Sequence, residues 1–224
     1  MISATTFARQ SSVWNEAAPT LEQVVRWANE HQSSTGRAVP TAAPAERHSL
    51  IAETAFNLAK LDADAGSSDE ASAEHEARTF IQGLPRAAGA HDPLSTVEWH
   101  EAIALKEGIE SYTHWLPDVQ FRVPVPGCGV VDSSFADITA RNELIEVKAV
   151  GRQFRGSDFR QLLTYATMFY ASGRTFERLT VLNPRKGNVV SMPINRASIN
   201  SSGKTAVELL QELVVWMTGL QISA

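Results

Sequence analysis

The chain has 224 residues, of which 43% are hydrophobic and 20% charged, which is the composition of an ordinary globular protein with room for one sizeable core. Its one cysteine, Cys128, excludes an intrachain disulfide. The N-terminus has no apolar signal segment, and no run approaches the roughly 18 apolar residues of a membrane span. We therefore expect a cytoplasmic protein that does not enter a membrane.

The N-terminal part of the chain predicts helices. Residues 1–18 show no hydrophobic periodicity, so we expect a loose lead-in there. Thr20, with Gln23 at the capping-box position, predicts the start of a helix with an apolar stripe. A second helix is predicted from about Ala45 to Leu61, where apolar residues recur at helical spacing.

Two segments with few bulky apolar residues follow these helices. Residues 62–76 are acidic and rich in Ser and Ala, which predicts either a mobile linker or an exposed helix end. Residues 83–93 contain Gly and Pro near both ends and are typical of a boundary between domains. We therefore divide the chain into an N-terminal helical region, 1–93, and a second domain, 94–224.

The second domain predicts a helix, a set of strands, a helix, further strands and a last helix. Ser95 and Glu98 form a capping box that opens a helix ending near His114, and residues 119–125 form the first strand. Later strands are predicted at 179–182 and 189–194, and a terminal amphipathic helix at 205–220.

Charged residues lie in a predicted hairpin at the centre of this domain. Two apolar runs, 135–139 and 144–150, flank a polar turn, and Asp137 lies in the first run. Glu146 and Lys148 lie two residues apart in the second run, so their side chains leave the same face of the strand. A hairpin turning near residue 142 brings Asp137 beside them. Such charges are costly in a half-buried sheet, and a divalent metal ion is their natural partner.

Positive charge is concentrated on and after this hairpin. From residue 141 to residue 204 there are 11 Lys and Arg against 4 Asp and Glu, whereas the rest of the chain has 9 against 21. A local balance of +7 beside a metal site suits a nucleic-acid phosphate backbone. The alternative is a solvated surface whose charge asymmetry has no function.

Three sequence features together resemble a known family. Asp137 is followed after eight residues by Glu146-Val147-Lys148, a later helix carries Gln161 and Tyr165, and a strand and turn occupy residues 179–187. This pattern resembles the PD-(D/E)XK nuclease superfamily, closest to the RecB-like and restriction-related branch with a Gln-x-x-x-Tyr element. The resemblance covers roughly residues 95–195. One departure is Ala136, where the superfamily pattern has Pro.

The resemblance implies a restriction-endonuclease-like α/β fold, with a central mixed sheet flanked by helices, and hydrolysis of DNA phosphodiester bonds. Mg²⁺, with Mn²⁺ as a substitute, would be held by Asp137, Glu146 and the main-chain carbonyl of Val147. Lys148 would orient or deprotonate the attacking water or stabilise transition-state oxygens. Gln161 and Tyr165 would position the strand that is cut. The first core helix of the superfamily often contributes an acidic residue, for which Glu101 at the edge of the apolar stripe is the candidate, with a surface role as the alternative. Arg152 and Arg155 in the basic loop and Arg160 in the helix after it would hold backbone phosphates.

Two other interpretations remain open. A nuclease fold can persist as a catalytically silent subunit that binds nucleic acid or a protein partner. Alternatively, the triplet is a coincidence and its ion pairs are structural. The resemblance also suggests a role in restriction or in defence against foreign DNA. No helicase or ATPase pattern is present, so a motor would come from a partner protein, and the apolar terminal helix leaves room for a homodimer.

Overall fold

The computed structural model describes residues 1–66, 69–84, 89 and 91–219. The helices of this part are α1 (Ala4–Ala8), α2 (Ser11–Ala17), α3 (Leu21–Glu30), α4 (His48–Ala65), α5 (Glu70–Gln82), α6 (Thr96–Thr113), α7 (Gly156–Ala171), α8 (Ile194–Ser202) and α9 (Ala206–Gly219). The strands are β1 (Ser33–Ser34), β2 (Gln120–Val125), β3 (Ser134–Ala140), β4 (Glu143–Val147), β5 (Arg178–Asn183) and β6 (Asn188–Pro193).

The strands form one mixed sheet in the order β1-β6-β5-β4-β3-β2. Only β4 and β5 pair in parallel, and α7 connects them, whereas the other neighbours are antiparallel. A parallel pair needs such a crossover, because two parallel strands cannot be joined by a tight turn. The predicted α/β class, with a mixed sheet flanked by helices, is confirmed at this level.

The two faces of the sheet are covered by different helices. Leu144 packs in a cluster with residues of α1, α2, α3, α7, α8 and α9, whereas its neighbour Ile145 packs with residues of α4 and α6. Successive side chains of a strand leave opposite faces, which explains how β4 contributes to both clusters. The strand pair β3–β4 therefore lies between two helical layers.

Residues 1–18 do not form the predicted loose lead-in. They fold into α1 and α2, and Phe7 and Trp14 are fully buried, with the Trp14 indole donating a hydrogen bond to the Phe7 carbonyl at 3.2 Å. Helices of five and seven residues are too short to show a helical repeat in the sequence. That part of the prediction was wrong for this reason.

Residues before and after the predicted border at residue 93 share their packing. β1 pairs with β6, α3 packs against α7 and α8, and α4 packs against α6. Five residues of the predicted boundary segment, 85–88 and 90, lie outside the described residues, as does the predicted end of the last helix at residue 220. The acidic segment 62–76 contains the end of α4 and the start of α5, where the Asp69 side chain accepts from the Ala71 amide.

Within the described part, no helix is both long and apolar enough to cross a membrane.

Candidate functional site

The β3–β4 hairpin sets the two predicted carboxylates side by side. Its register pairs Ile138 with Ile145 and Thr139 with Leu144, and one further step places Asp137 opposite Glu146. The Asp137 carboxylate accepts a hydrogen bond from the Val147 amide at 2.8 Å. Asp137 is therefore anchored to the neighbouring strand, with its carboxylate at the position that the sequence predicted.

Glu146 and Lys148 share one face of the second strand, as predicted. The Lys148 amide continues the parallel pairing beyond β4 by donating to the Leu182 carbonyl at 2.8 Å. The Lys148 ammonium lies 2.5 Å from Oε1 of Glu146. Glu146 is only 1% exposed, and its second carboxylate oxygen, Oε2, is buried without a hydrogen-bond partner in the described part of the chain. A buried hydrogen-bond acceptor without a donor is unfavourable in free energy, and a ligand bound at this position would remove the cost.

Burial and mutual repulsion shift the titration of these groups. Burial raises the pKa of Glu146 to about 8, the Asp137 carboxylate adds to the rise, and Lys148 opposes it. Burial also raises the pKa of Asp137, against the opposing effects of Lys148 and the Val147 amide. Burial disfavours the Lys148 ammonium, but the two carboxylates outweigh this and hold its pKa above the usual range. Burial and the neighbouring Asp137 carboxylate thus disfavour the ionised form of Glu146. A divalent ion bound here would favour the ionised form of both acids.

Helix α7 brings Gln161 and Tyr165 to the same place. The Lys148 ammonium donates to the side-chain oxygen Oε1 of Gln161 at 3.1 Å, and the side-chain nitrogen Nε2 of Gln161 donates to the Tyr165 hydroxyl at 3.2 Å. The two residues are four apart and therefore share one face of the helix. Burial, together with Glu146 and Asp137, raises the pKa of Tyr165 to about 12, so this hydroxyl keeps its proton at neutral pH.

The start of α7 is capped by the Asp158 side chain. The buried Asp158 carboxylate accepts from the Arg155 amide at 2.9 Å and from two nitrogens of Arg152 at 2.7 and 2.8 Å. Arg152 thus forms a bidentate ion pair with Asp158, whereas the Arg155 side chain is exposed. Arg160 is partly buried, and its Nε has no partner among the described residues. Of the three arginines predicted to bind phosphates, Arg152 is therefore already paired with a carboxylate, Arg155 is exposed to solvent and Arg160 is partly buried.

Glu101 is not brought to this site. Its carboxylate is 5% exposed, pairs with the buried Arg185 guanidinium and accepts from the Ala42 amide at 3.1 Å. Arg185 lies in the turn between β5 and β6, so the face of α6 that carries Glu101 lies against that turn. The ion pair gives Glu101 a structural role that its place on the helical stripe could not reveal.

Another acidic residue, Glu53 of α4, borders the site instead. Glu53 and Asp137 line the same cavity, and Glu53 forms an ion pair with Arg122 of β2. Burial raises the pKa of Glu53, Arg122 opposes the rise, and Asp137 adds to it. Glu53 was not predicted as a site residue, because the division at residue 93 placed α4 outside the second domain. A signal was present, since Glu53 lies among the buried positions of an apolar helix.

Arg122 adopts a backbone conformation that non-glycine residues rarely show. Its φ is 51°, in the left-handed region, in the middle of edge strand β2. Its guanidinium also donates to the Asn57 side chain at 3.0 Å. Strained residues of this kind are held in place by their surroundings and concentrate at functional sites.

These side chains surround a cavity of about 390 Å³ between the hairpin, α4 and α7. A larger cavity of about 660 Å³ lies near the end of α6, but the predicted site residues do not line it. The predicted site residues that line the smaller cavity are Asp137, Glu146, Val147, Lys148, Gln161 and Tyr165. We take it as the candidate site because charge, a partnerless buried oxygen and strained backbone coincide there.

The donor set of this cavity fits Mg²⁺. Among the described residues, no three His, Cys, Asp or Glu side chains group as a metal site. Mg²⁺ does not require such a group, because it is commonly held by one or two carboxylates and keeps several waters. The partnerless Glu146 oxygen beside Asp137 supplies hard oxygen ligands of the required kind. The residues present therefore fit the ion.

A scan of the chain against protein-family models gives no match, and comparisons with curated proteins and with solved structures give none either.

Proposed function

We propose that this protein is a Mg²⁺-dependent nuclease that hydrolyses phosphodiester bonds of DNA. The observation that carries the proposal is the buried, partnerless carboxylate oxygen of Glu146, which lies beside Asp137 and Lys148 in a cavity. Burying an acceptor without a donor costs about 1–3 kcal/mol, and a cation bound beside this oxygen would remove that cost. A metal site explains both the carboxylate pair and its exposure to a cavity.

Asp137, Glu146 and the carbonyl of Val147 would hold the ion. When bound, Mg²⁺ stabilises the charge that develops on the phosphoryl oxygens and acidifies the attacking water. Lys148 keeps its proton, because the neighbouring carboxylates hold its pKa above the usual range. An ammonium in this state suits hydrogen-bond donation to a phosphoryl oxygen or to the attacking water better than proton abstraction.

Gln161 and Tyr165 would keep that ammonium in place. The side-chain oxygen of Gln161 accepts a hydrogen bond from the Lys148 ammonium, and the side-chain nitrogen of Gln161 donates one to the Tyr165 hydroxyl. The chain of hydrogen bonds fixes the direction of the amide, so that Lys148 is held between Glu146 and Gln161. The exposed Arg155 at the start of α7 would hold a flanking phosphate without reading sequence.

The resemblance to the restriction-related branch extends the proposal to a role in restriction or defence against foreign DNA. A motor protein or a second copy of the chain would be the partner in such a role. Val207 and Val215 of α9 are 53% and 67% exposed and offer apolar contacts for docking.

The direct test is a cleavage assay on linear, circular and single-stranded DNA, with Mg²⁺, with Mn²⁺ and with EDTA. We expect cleavage with either metal, none with EDTA, and none for Asp137→Asn, Glu146→Gln or Lys148→Met with a retained fold. Glu212→Gln is the matched control, because it opens another lysine–glutamate ion pair, with Lys204, away from the cavity. Near wild-type turnover of any one site variant would remove that residue from the mechanism.

The alternative is a catalytically silent subunit that binds nucleic acid or a protein partner. The close contact between Lys148 and Glu146 favours it, since the ammonium already neutralises part of the charge that would bind a metal. Calorimetric titration with Mg²⁺ or Mn²⁺ separates the two functions. Saturable binding that is lost in Asp137→Ala supports the metal site, whereas absence of binding supports the silent subunit.

A further inference from the structure

Exposed apolar side chains border the proposed active-site cavity. Phe135 of β3 is 56% exposed, and Phe80 and Leu84 at the end of α5 are each 44% exposed. Single exposed apolar residues are common, but here three from two separate elements line one cavity. Two of the three exposed aromatic residues of the described part are among them, the third being Trp115. We call Phe80, Leu84 and Phe135 the apolar rim.

The Phe80 ring is held by a cation, and Phe135 is held by its backbone. The Arg122 guanidinium lies 4.9 Å from the centre of the Phe80 ring and 5.5 Å from that of Phe56, and it is itself tied to Glu53. Phe135 pairs through its backbone with Pro124 of β2 and lies two residues before Asp137. Residues two apart in a strand leave the same face, so the Phe135 ring and the Asp137 carboxylate emerge together.

This arrangement combines two kinds of recognition within one small cavity. The carboxylates and the ammonium suit a phosphate with its metal ion, whereas the apolar rim suits a flat, apolar ring system next to that phosphate. A nucleotide has both parts. In the interior of a duplex, however, each base is stacked between its neighbours, and its face can contact a protein ring only when the base is unpaired.

We infer that the apolar rim stacks an unpaired nucleobase, so that the preferred substrate is single-stranded DNA or an unpaired DNA end. The inference rests on the proposed nuclease function and names its substrate class. A cavity of about 390 Å³ lies in the size range of small-molecule sites and accommodates one nucleotide in place of a double helix. Stacking of this kind is tolerant of sequence, because every base presents a flat face.

Binding measured in EDTA tests the apolar rim without cleavage. We expect wild-type protein to bind a single-stranded oligonucleotide more tightly than a blunt duplex of the same sequence. Phe135→Ala should weaken single-strand binding at least about fivefold, since one stacked base contributes about 5- to 150-fold in affinity. Duplex binding should change little. Phe135→Trp should retain the preference, and Phe80→Ala should act in the same direction as Phe135→Ala.

Two controls separate stacking from other effects. Trp115→Ala removes an aromatic side chain that is 82% exposed and borders a different cavity, so it should leave both affinities unchanged. An abasic deoxyribose-phosphate oligomer of the same length keeps the phosphates but has no bases. It should bind wild type and Phe135→Ala equally.

The outcomes distinguish this inference from the proposed function. Equal loss of single-strand and duplex binding in Phe135→Ala, or a loss that persists with the abasic oligomer, would overturn the stacking role. Absence of a single-strand preference in the wild type would overturn the substrate class. A stacking preference without metal-dependent cleavage by the wild type would instead overturn the nuclease proposal while leaving the base-binding rim in place.

Discussion

At the scale of single residues, the β3–β4 hairpin shows which parts of a site can be read from a sequence. Glu146 and Lys148 were predicted correctly as a pair, because the two-residue period of a strand decides which side chains share a face. The position of Asp137 beside them was predicted from the place of the hairpin turn. Glu53 could not be found this way, since its contact with the cavity depends on which helix covers the sheet. Glu101 occupied the expected helix but pairs with Arg185.

The hydrogen-bonded chain from Lys148 through Gln161 to Tyr165 yields a prediction about turnover. Gln161→Ala and Tyr165→Phe should lower the rate of cleavage more than they lower DNA affinity, because they disturb the ammonium where charge develops. Tyr165→Phe should cost little stability, since its ring remains buried. Single-turnover cleavage with saturating enzyme measures the rate alone. Rates near wild type for both variants would leave these residues with a packing role only.

Arg152 and Arg155 should respond differently to substitution. Arg155→Ala should reduce the slope of log K against log salt by about 0.9, the contribution of one contact with a duplex phosphate. Arg152→Ala should leave that slope nearly unchanged, because its charge is paired with Asp158. It should instead lower the free energy of unfolding by about 1–3 kcal/mol, since the buried Asp158 loses its cation.

Salt titrations of DNA binding and urea unfolding measure these two effects in the same pair of variants. An unchanged slope in Arg155→Ala would show that the positive charge around the hairpin is not a phosphate-binding surface. A changed slope in Arg152→Ala would show that this arginine leaves Asp158 when DNA binds.

At the scale of elements, most predicted helices and strands exist. The cap predicted at Thr20 for α3 does not form, because the Thr20 hydroxyl donates to the Asn200 carbonyl instead. The predicted capping box of α6 is present, with the Ser95 hydroxyl accepting from the Glu98 amide and the Glu98 carboxylate accepting from the Ser95 amide at 2.7 Å. Helix α8 was missed, because it follows β6 directly and has only a short apolar stripe. The αL glycine at 203 that ends it was a usable signal.

The same capping box predicts a pH dependence of stability. The Arg47 guanidinium, 2.7 Å from the Glu98 carboxylate, holds the pKa of Glu98 at about 2 against the opposing effect of burial, with the Ser95 amide assisting. Because the folded pKa is below the ordinary value of 4.5, the stabilisation is fully present above about pH 4.5 and is lost as pH falls toward 2.

Glu98→Gln should therefore destabilise the protein by about 1–3 kcal/mol at pH 7, and the difference from wild type should shrink between pH 4.5 and pH 3. Urea unfolding at several pH values measures both quantities. Glu208→Gln is the control, since Glu208 caps α9 through Thr205 in an exposed position without an arginine partner. A Glu98→Gln effect that stays constant with pH would show that the arginine contact is not what stabilises the ionised form.

At the scale of the whole molecule, helices from the N-terminal region cover both faces of the sheet. Residues of α1, α2 and α3 pack in one cluster with α7 and α9, and α4 packs over the opposite face with α6. The predicted domain boundary at residue 93 was based on a change in composition. Such a change shows only where bulky apolar residues are few. Composition cannot report which distant residues pack together, and the long-range pairing of β1 with β6 illustrates this.

This shared packing predicts that residues 94–224 do not fold cooperatively on their own. Their sheet would lose β1, one face would lose α1, α2 and α3, and the other face would lose α4. Expression of that fragment, followed by circular dichroism and urea unfolding, should show no cooperative transition. A fragment with a sharp transition would show instead that the second domain is independent, as its composition suggests.

A point substitution tests the same packing in the full chain. Trp14→Ala empties a fully buried position between α1, α2 and the rest of the core, and it should lower the free energy of unfolding by about 3–5 kcal/mol. Trp115→Ala, at a position 82% exposed, should change it by no more than about 0.5 kcal/mol. If Trp14→Ala also weakens DNA cleavage in proportion to the unfolded fraction alone, the N-terminal helices act on the site through stability. A larger loss would mean that α1, which packs against α7, helps to position Gln161 and Tyr165.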